Sequence, residues 1–411
     1  MLRSEIATFT HGYTRRRFLA KSACLAFAAG AVVPFVQGQT KPAKKFRAAV
    51  FGHTGRGDYG HGLDLVFTER PDVELLAIAD PVAAGRVKAA ERSGAARQYE
   101  DYRELLAREK PELVSVAPRW TDQHHALALA ALHAGAHVLT EKPFTETLRD
   151  ADDLLEVAKA SGRKIAVAHQ MRLAPQILFL KQKLQAGMIG DLLEMRAHGK
   201  QDQRAGGEDL LVLGLHLFHL MRFFAGDARW CSARVLQRGR EITPADAHPA
   251  TEGIGLIAGD EIVAQFGFDG GVHASFTSRA RNRQTAGPWG IELVGSKGAV
   301  RIHADICPRI FLARPGDWNA TGQTTEWRPI DGDPSLAWNA VARSNGPANQ
   351  RVVDNWLSAI QDDREPACSG NAAMRAIELA HAVFAAGLSR GRVTLPLTGR
   401  DHPLRPKSPS Q

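Results

Sequence analysis

Residues 46–62 read FRAAVFGHTGRGDYGHG, and the fold of the whole chain turns on this stretch. Ala48, Ala49, Val50 and Phe51 form a short apolar run that breaks into a loop holding Gly52, Gly55, Gly57, Gly60 and Gly62. Leu63, Leu65, Val66 and Phe67 then follow at helical spacing. Strand, glycine loop and helix in that order present free backbone N–H groups and a helix dipole to a pyrophosphate. A second apolar run at 73–79 ends in Asp80, about twenty residues past the loop, where dinucleotide folds place the acid that holds a ribose hydroxyl. The stretch therefore predicts a dinucleotide-binding half.

The loop has two registers. Gly52-His53-Thr54-Gly55-Arg56-Gly57 begins where the strand stops, but places Thr54 where close backbone approach is expected. A literal G-x-G-x-x-G runs from Gly55 to Gly60 and starts three residues after the strand. The first register is preferred, and the second stays open.

Outward from the loop, strands and helices alternate to about residue 168, as a parallel sheet with crossover helices requires. Helices are expected at 81–92, 125–134 and 147–161, the last started by Thr147 with Asp150 and stopped at Gly162. Strands are expected at 113–117, before Pro118, and at 137–140 and 165–168. Past residue 169 the pattern changes to helices near 177–186 and 211–224, then strands near 192–199, 234–238, 261–268, 271–279, 290–294 and 298–303. Strands in succession after a helical start suggest an α+β domain on one large, mostly antiparallel open sheet. Helix returns at 350–390, and the polar, Pro-rich segment 397–411 reads as a flexible tail. The expected division is a dinucleotide-binding α/β Rossmann domain at 46–168 and an α+β domain at 169–396.

The net charge of +8 over 411 residues is unevenly placed. Arg3, Arg15, Arg16, Arg17 and Lys21 stand against Glu5 alone within residues 1–38, which supply half of it. No basic stripe interleaved with aromatics is left to bind nucleic acid. Thr14-Arg15-Arg16-Arg17-Phe18-Leu19-Ala20-Lys21 is instead a twin-arginine signature, followed by an apolar run from Leu25 to Val36. That run is short and Ala/Gly-rich for a spanning helix. A cleaved signal over 1–38, cut near Gly38 and followed by a linker at 39–45, is expected; an uncleaved anchor is the alternative. The twin-arginine export machinery carries folded proteins to the periplasm, which suits a chain that takes up a dinucleotide before export. Cys231, Cys307 and Cys368 remain beyond the signal, too scattered for a disulfide framework or a C-x-x-C metal site.

Lys142, in Glu141-Lys142-Pro143, is delivered by the strand it ends to the edge where open parallel sheets bind ligands. Partial burial there would lower its pKa and let it exchange a proton with a hydroxyl. The Lys142–Pro143 bond is a candidate for the cis form. His216 and His219 lie three apart on one face of an apolar helix; His216 suits proton exchange near neutrality. No third ligand suggests zinc, so no metal is expected. Asp209 lies about two turns before His216 and would orient it if the helix begins late.

Taken together, these features resemble the Gfo/Idh/MocA family, the glucose–fructose oxidoreductase and inositol dehydrogenase type. The likeness spans 46–396: the loop at Gly52–Gly57, Asp80, His124, Glu141-Lys142-Pro143, Arg172 and Pro175, Gly187 with Gly190, Gly207 and Gly214-Leu215-His216, the turn at Gly295–Gly298, and Val393-Thr394-Leu395-Pro396. The resemblance implies hydride transfer between a sugar or polyol and a nicotinamide, with Lys142 and His216 handling the proton and Asp209 as a further catalytic candidate. It implies cofactor contacts from Gly52, Thr54, Gly55, Arg56, Gly57, Asp80, Pro118, His124, Glu141 and Lys142. It places His169, Arg172, Gln201, His216 and His219 toward the substrate with Lys142, and it implies a homodimer or homotetramer. It further implies that 46–168 is an NAD(P)-binding domain and 169–396 a substrate and oligomerisation domain. Asp80 favours NAD over NADP, while Arg86 keeps NADP open.

The departures are informative. An aspartate usual in the family four residues before the histidine is Val212 here, and His219 stands where another aspartate is common. Either Asp209 or His219 supplies the missing group, or turnover is altered. An NAD(P)-dependent sugar oxidoreductase is the leading expectation. A glycosidase- or lyase-like enzyme with tightly held NAD and no net redox is the second, and a non-catalytic dinucleotide- or sugar-binding protein the third.

Overall fold

The computed structural model describes residues 45–280, 289–313, 327–330, 338–339 and 341–406. The segment expected to be an export signal cut near Gly38, nearly all of the expected linker, and the last five residues lie outside these.

Ala48, Ala49, Val50 and Phe51 are all buried, as a strand covered on both faces must be. They belong to β1 (Phe46–Phe51), which pairs in parallel with β2 (Val73–Ala79) on one side and β4 (Leu113–Val116) on the other. With β3 (Arg97–Tyr99), β5 (His137–Thr140) and β6 (Ile165–Val167) they make a six-stranded sheet in the order β3-β2-β1-β4-β5-β6. The order reverses between β1 and β4, so a crevice opens beyond their carboxyl ends. The crossover helices end as their sequences dictate. In Leu148–Ser161 the Thr147 hydroxyl accepts the Asp150 N–H at 3.1 Å, and Gly162 closes the helix at φ 66°.

No regular helix follows the glycine loop, contrary to expectation. Gly60–Gly62 form one 3-10 turn, broken by His61 at φ 48° and Gly62 at φ 78°, and further turns carry the chain to β2. Leu63, Val66 and Phe67 are buried all the same, so their spacing reports burial and not a helix. They pack in one cluster with Val352, Val353 and Trp356 of the helix Asn345–Gln361, which lies on this face of the sheet. Trp356 is fully buried and donates its indole N–H to Lys164 O at 3.3 Å. A helix from the far end of the chain thus completes the first domain.

The second sheet has ten strands and includes Leu192–His198, Trp230–Gln237, Glu261–Gly267, His273–Arg279, Gly290–Gly295, Gly298–His303 and Arg309–Ala313. Its pairings are antiparallel except that between Leu192–His198 and His273–Arg279. In Glu261–Gly267, Ile262, Ala264 and Phe266 face the core while Glu261, Val263 and Gln265 are less covered, the alternation of a sheet covered on one face. The helices at 207–225 and Gly370–Ser389 supply the opposing apolar layer.

The tail expected to be flexible from residue 397 is docked as far as it is described. Leu404 is wholly buried, Arg400 pairs with Asp152 at 2.6 Å and Glu378 at 2.9 Å, and Arg405 pairs with Glu146 at 2.7 Å. Its prolines and charges suggested disorder; partners far along the chain, Asp152 and Glu378 in helices and Glu146 in a loop, hold it.

Candidate active site

β5 ends directly on Glu141 and Lys142, and the Lys142–Pro143 bond is cis. Lys142 is buried, and its Nζ donates to Val212 O at 3.2 Å. Burial pulls its pKa below the ordinary lysine value, against the opposing pull of Glu141 and Glu252. The carbonyl it meets lies in an unusual element. The helix at 207–225 runs as Gly207–Asp209, widens to a π turn at Leu210–Gly214, and resumes at Leu215–Ala225. Such turns inside α-helices often mark functional sites. Where the family's aspartate is replaced by Val212, a main-chain oxygen takes up the lysine.

The Glu141 carboxylate is wholly buried; it accepts the Lys142 N–H at 2.5 Å and pairs with His61 Nδ1. Burial pushes its pKa upward, but His61 and Lys142 more than offset this and leave it below the ordinary value. Glu141 therefore holds His61, a residue that sequence reasoning passed over. His61 O accepts Asn349 Nδ2 at 2.9 Å, and Asn349 Oδ1 accepts Gln170 Nε2 at 2.8 Å, which fixes the turn against the Asn345–Gln361 helix. Arg119, Arg204 and Glu252, also unforeseen, lie close enough to shift Lys142. They form one ion-pair chain, Arg119 to Glu252 and Glu252 to Arg204 at 3.3 Å.

His216 and His169 meet edge-on at 5.4 Å between centroids, and His169 stacks on His219 at 4.5 Å. Trp289 borders His216 at 6.0 Å. Stacked rings do not converge as ligands to one ion would. Burial drives all three histidine pKa values down, that of His169 to about 3, so each ring is neutral at neutral pH. His169 Nδ1, His216 Nδ1, both ring nitrogens of His219 and Arg172 Nη1 are buried without a hydrogen-bond partner. Buried polar atoms are ordinarily satisfied, so this layer has bonding capacity to offer a ligand.

Asp209 is not part of that layer. Its carboxylate accepts Lys200 N–H at 3.2 Å, Gln201 N–H at 3.1 Å and the Ser278 hydroxyl at 2.7 Å, and makes no hydrogen bond to His216. Burial raises its pKa. Gln201 is bound up in the same turn: its N–H goes to Asp209 and its Oε1 accepts Arg279 N–H at 3.1 Å. Both residues were expected to meet substrate or orient His216; both hold the segment at 199–201 in place.

On the nucleotide side, the turn begins where β1 stops, in the preferred register, with Asp58 N–H on His53 O at 3.1 Å. Gly55, at φ 81°, has open space where a side chain would stand, leaving room for close backbone approach. Gly57, at φ 86°, has none, being pressed against the backbone of Arg119 and Trp120. Phe51, Gly52, His53, Pro81, Glu100 and Tyr102 line an open cavity of about 320 Å³ beyond β1 and β2. The crevice lies where parallel sheets of this order take a dinucleotide, but Asp80 does not face it. Asp80 is wholly buried, with Oδ2 accepting the Thr54 N–H at 3.0 Å and hydroxyl at 2.7 Å, and Oδ1 accepting Val82 N–H at 2.8 Å. Thr54, placed where glycine is usual, captures the acid. Arg56 pairs with Asp122. His124 is also wholly buried, its ring nitrogens on Pro118 O at 2.6 Å and Pro143 O at 2.8 Å; it buckles the two loops together.

Comparison with known proteins agrees with this architecture. Residues 46–169 match the model described as "Oxidoreductase family, NAD-binding Rossmann fold", and residues 181–395 match "Oxidoreductase family, C-terminal alpha/beta domain". D-apiose dehydrogenase of Paraburkholderia graminis is 23% identical over 85% of this chain and 89% of its own length. D-glucoside 3-dehydrogenase of Escherichia coli is 26% identical over 44% of this chain and 54% of its own. Levoglucosan dehydrogenase, solved with NADH and levoglucosan, superposes with a TM-score of 0.69 at 18% identity, covering 86% of this chain and 100% of that one. With both halves matched, the chain belongs to the Gfo/Idh/MocA oxidoreductases, enzymes on an NAD-binding Rossmann fold.

Proposed function

We propose that this chain is an exported sugar or polyol dehydrogenase in which Lys142 takes the proton of the reacting hydroxyl and His216 holds that hydroxyl in line. The observation that carries the reading is the buried Lys142 amine, displaced toward its neutral form by desolvation and tethered to Val212 O beside the neutral His216. A bound nicotinamide supplies the hydride acceptor. Lys142 then passes its proton outward past His61 and the Arg119–Glu252–Arg204 chain at the rim. The carbohydrate names of relatives, D-apiose dehydrogenase and D-glucoside 3-dehydrogenase, support a sugar as substrate. The twin-arginine signature supports export to the periplasm by that route, and the broad second sheet supports a homodimer or homotetramer.

The decisive experiment identifies dinucleotide in the natively purified protein by mass spectrometry, then follows NADH with a panel of free sugars and glycosides. Retained NAD and NADH accumulating with one sugar class is the expected result. A folded protein that neither contains NAD or NADP nor binds them at millimolar concentration overturns the reading. Turnover of a glycoside without net NADH favours the second expectation, an enzyme with internally recycled NAD. The replacement of an acid by the Val212 carbonyl at Lys142 is the feature that speaks for it.

A further inference from the structure

Behind the stacked pair His169–His219 lies a second, separate opening of about 210 Å³, lined by Arg172, His219, Arg222, Phe223, Asp227 and Ala367. Its charges do not balance. Arg222 is neutralised by Asp227, Nε to Oδ1 at 2.5 Å. Among the described residues Arg172 pairs with no acid: its guanidinium carbon lies 3.3 Å over the Phe223 ring, and its Nη1 is buried without a partner. Lys181 flanks the same ring at 5.0 Å and donates to Phe223 O at 3.0 Å, again with no carboxylate. Two cations thus flank one aromatic ring, and among the described residues the only acid beside them is the one already paired with Arg222. Burial and the neighbouring Arg222 lower the proton affinity of Arg172, and burial and Arg172 lower that of Lys181.

An unpaired, partly desolvated guanidinium is costly unless something of opposite charge meets it. Stacking on Phe223 occupies the flat face of Arg172 and leaves the N–H edge, the part that forks onto two oxygens of a carboxylate or phosphate. His219, where the family pattern has an acid, supplies ring nitrogens without hydrogen-bond partners and no negative charge. We propose that this opening is an oxoanion-binding site, taking a carboxylate or phosphate group on Arg172 with Arg222 and Lys181 completing the positive field. The site borders the histidine layer through His219, and anion binding there does not depend on the redox reading.

The test is calorimetric titration of the intact folded protein with inorganic phosphate and, separately, with malonate. Chloride holds the ionic strength constant, and saturating NAD covers the glycine loop. Saturable one-site binding of either anion is expected, the better of the two telling phosphate from carboxylate. Arg172→Met should weaken it at least tenfold, and Lys181→Met, a milder change at a half-exposed position, by about threefold or more. The NAD affinity of each variant should stay within twofold of the parent's. No saturable binding of either anion overturns the proposal while leaving the enzyme reading intact; so does undiminished binding in Lys181→Met, even if Arg172→Met fails to fold. A chain that binds phosphate but never NAD fails the enzyme reading and not this one.

Discussion

The glycine loop over buried Asp80 and the buried histidine layer are both polar, yet they are finished in different ways. Around the loop, Asp80 is answered by Thr54 and Val82, and Gly55 N–H by Asp58 Oδ1 at 2.8 Å. In the layer of His169, His216 and His219, with Arg172 beside it, five buried nitrogens have no answer. The first region supports itself and frames a crevice. The second keeps its capacity for whatever enters. The comparison teaches that the acid beneath the loop is spent on scaffold, whereas the histidine layer, on the reading proposed above, keeps its polar groups for recognition.

The sharpest way to break this contrast is Lys142→Met. Turnover should fall by about three orders of magnitude, the scale of a lost general base, while NAD affinity measured by fluorescence titration moves less than threefold. An equal loss of both would make Lys142 scaffold too. Next in size is Trp356→Ala, which strikes only the scaffold and should cost roughly 3–5 kcal/mol in denaturant unfolding. Acid should expose the other side of the comparison. His169, with a pKa of about 3, and His137 and His402, each of about 4, are neutral in the fold, whereas in the unfolded chain each protonates near 6.5. The unfolded chain then binds more protons, so stability is full above pH 6.5 and drains away as pH falls toward 4, by up to about 1.4 kcal/mol per unit for each such ring. Thermal midpoints across that range check this; a flat profile would mean that the rings are not buried neutral. The smallest effect belongs to Thr54→Val. Losing the hydroxyl bond to Asp80 should cost about 1 kcal/mol of stability and, by leaving Oδ2 with the backbone N–H alone and a lone pair open to ribose, should strengthen NAD binding slightly. Weaker binding would show that the threonine itself meets the cofactor.

Much of this was legible beforehand because it is local. Apolar runs marked most strands of both sheets, though not Arg97–Tyr99 or Arg309–Ala313, Thr147 and Gly162 bracketed their helix, and Lys142 followed from the strand that ends on it. What escaped depends on partners far along the chain. The turns at 60–69 have helical spacing, but Asn345–Gln361 takes the sheet face that a helix there would cover. Asp80, His124, Glu141 and Asp209 are the right residue types in the right neighbourhoods, and spacing cannot say that Thr54, two carbonyls, His61 and Ser278 will claim them first. Arg119, Arg204 and Glu252 sit in loops that only the fold brings together. His61 alone left a trace, lying within the Gly-His-Gly run that opened the reading.

One consequence of the π turn at Leu210–Gly214 reaches beyond its geometry. A functional group made of main chain is immune to side-chain replacement: every amino acid at position 212 still brings the same oxygen. Scanning by substitution would pass over it in silence. Deleting a single residue from the widened coil, so that it rewinds to ordinary pitch, is what would take the lysine's tether away.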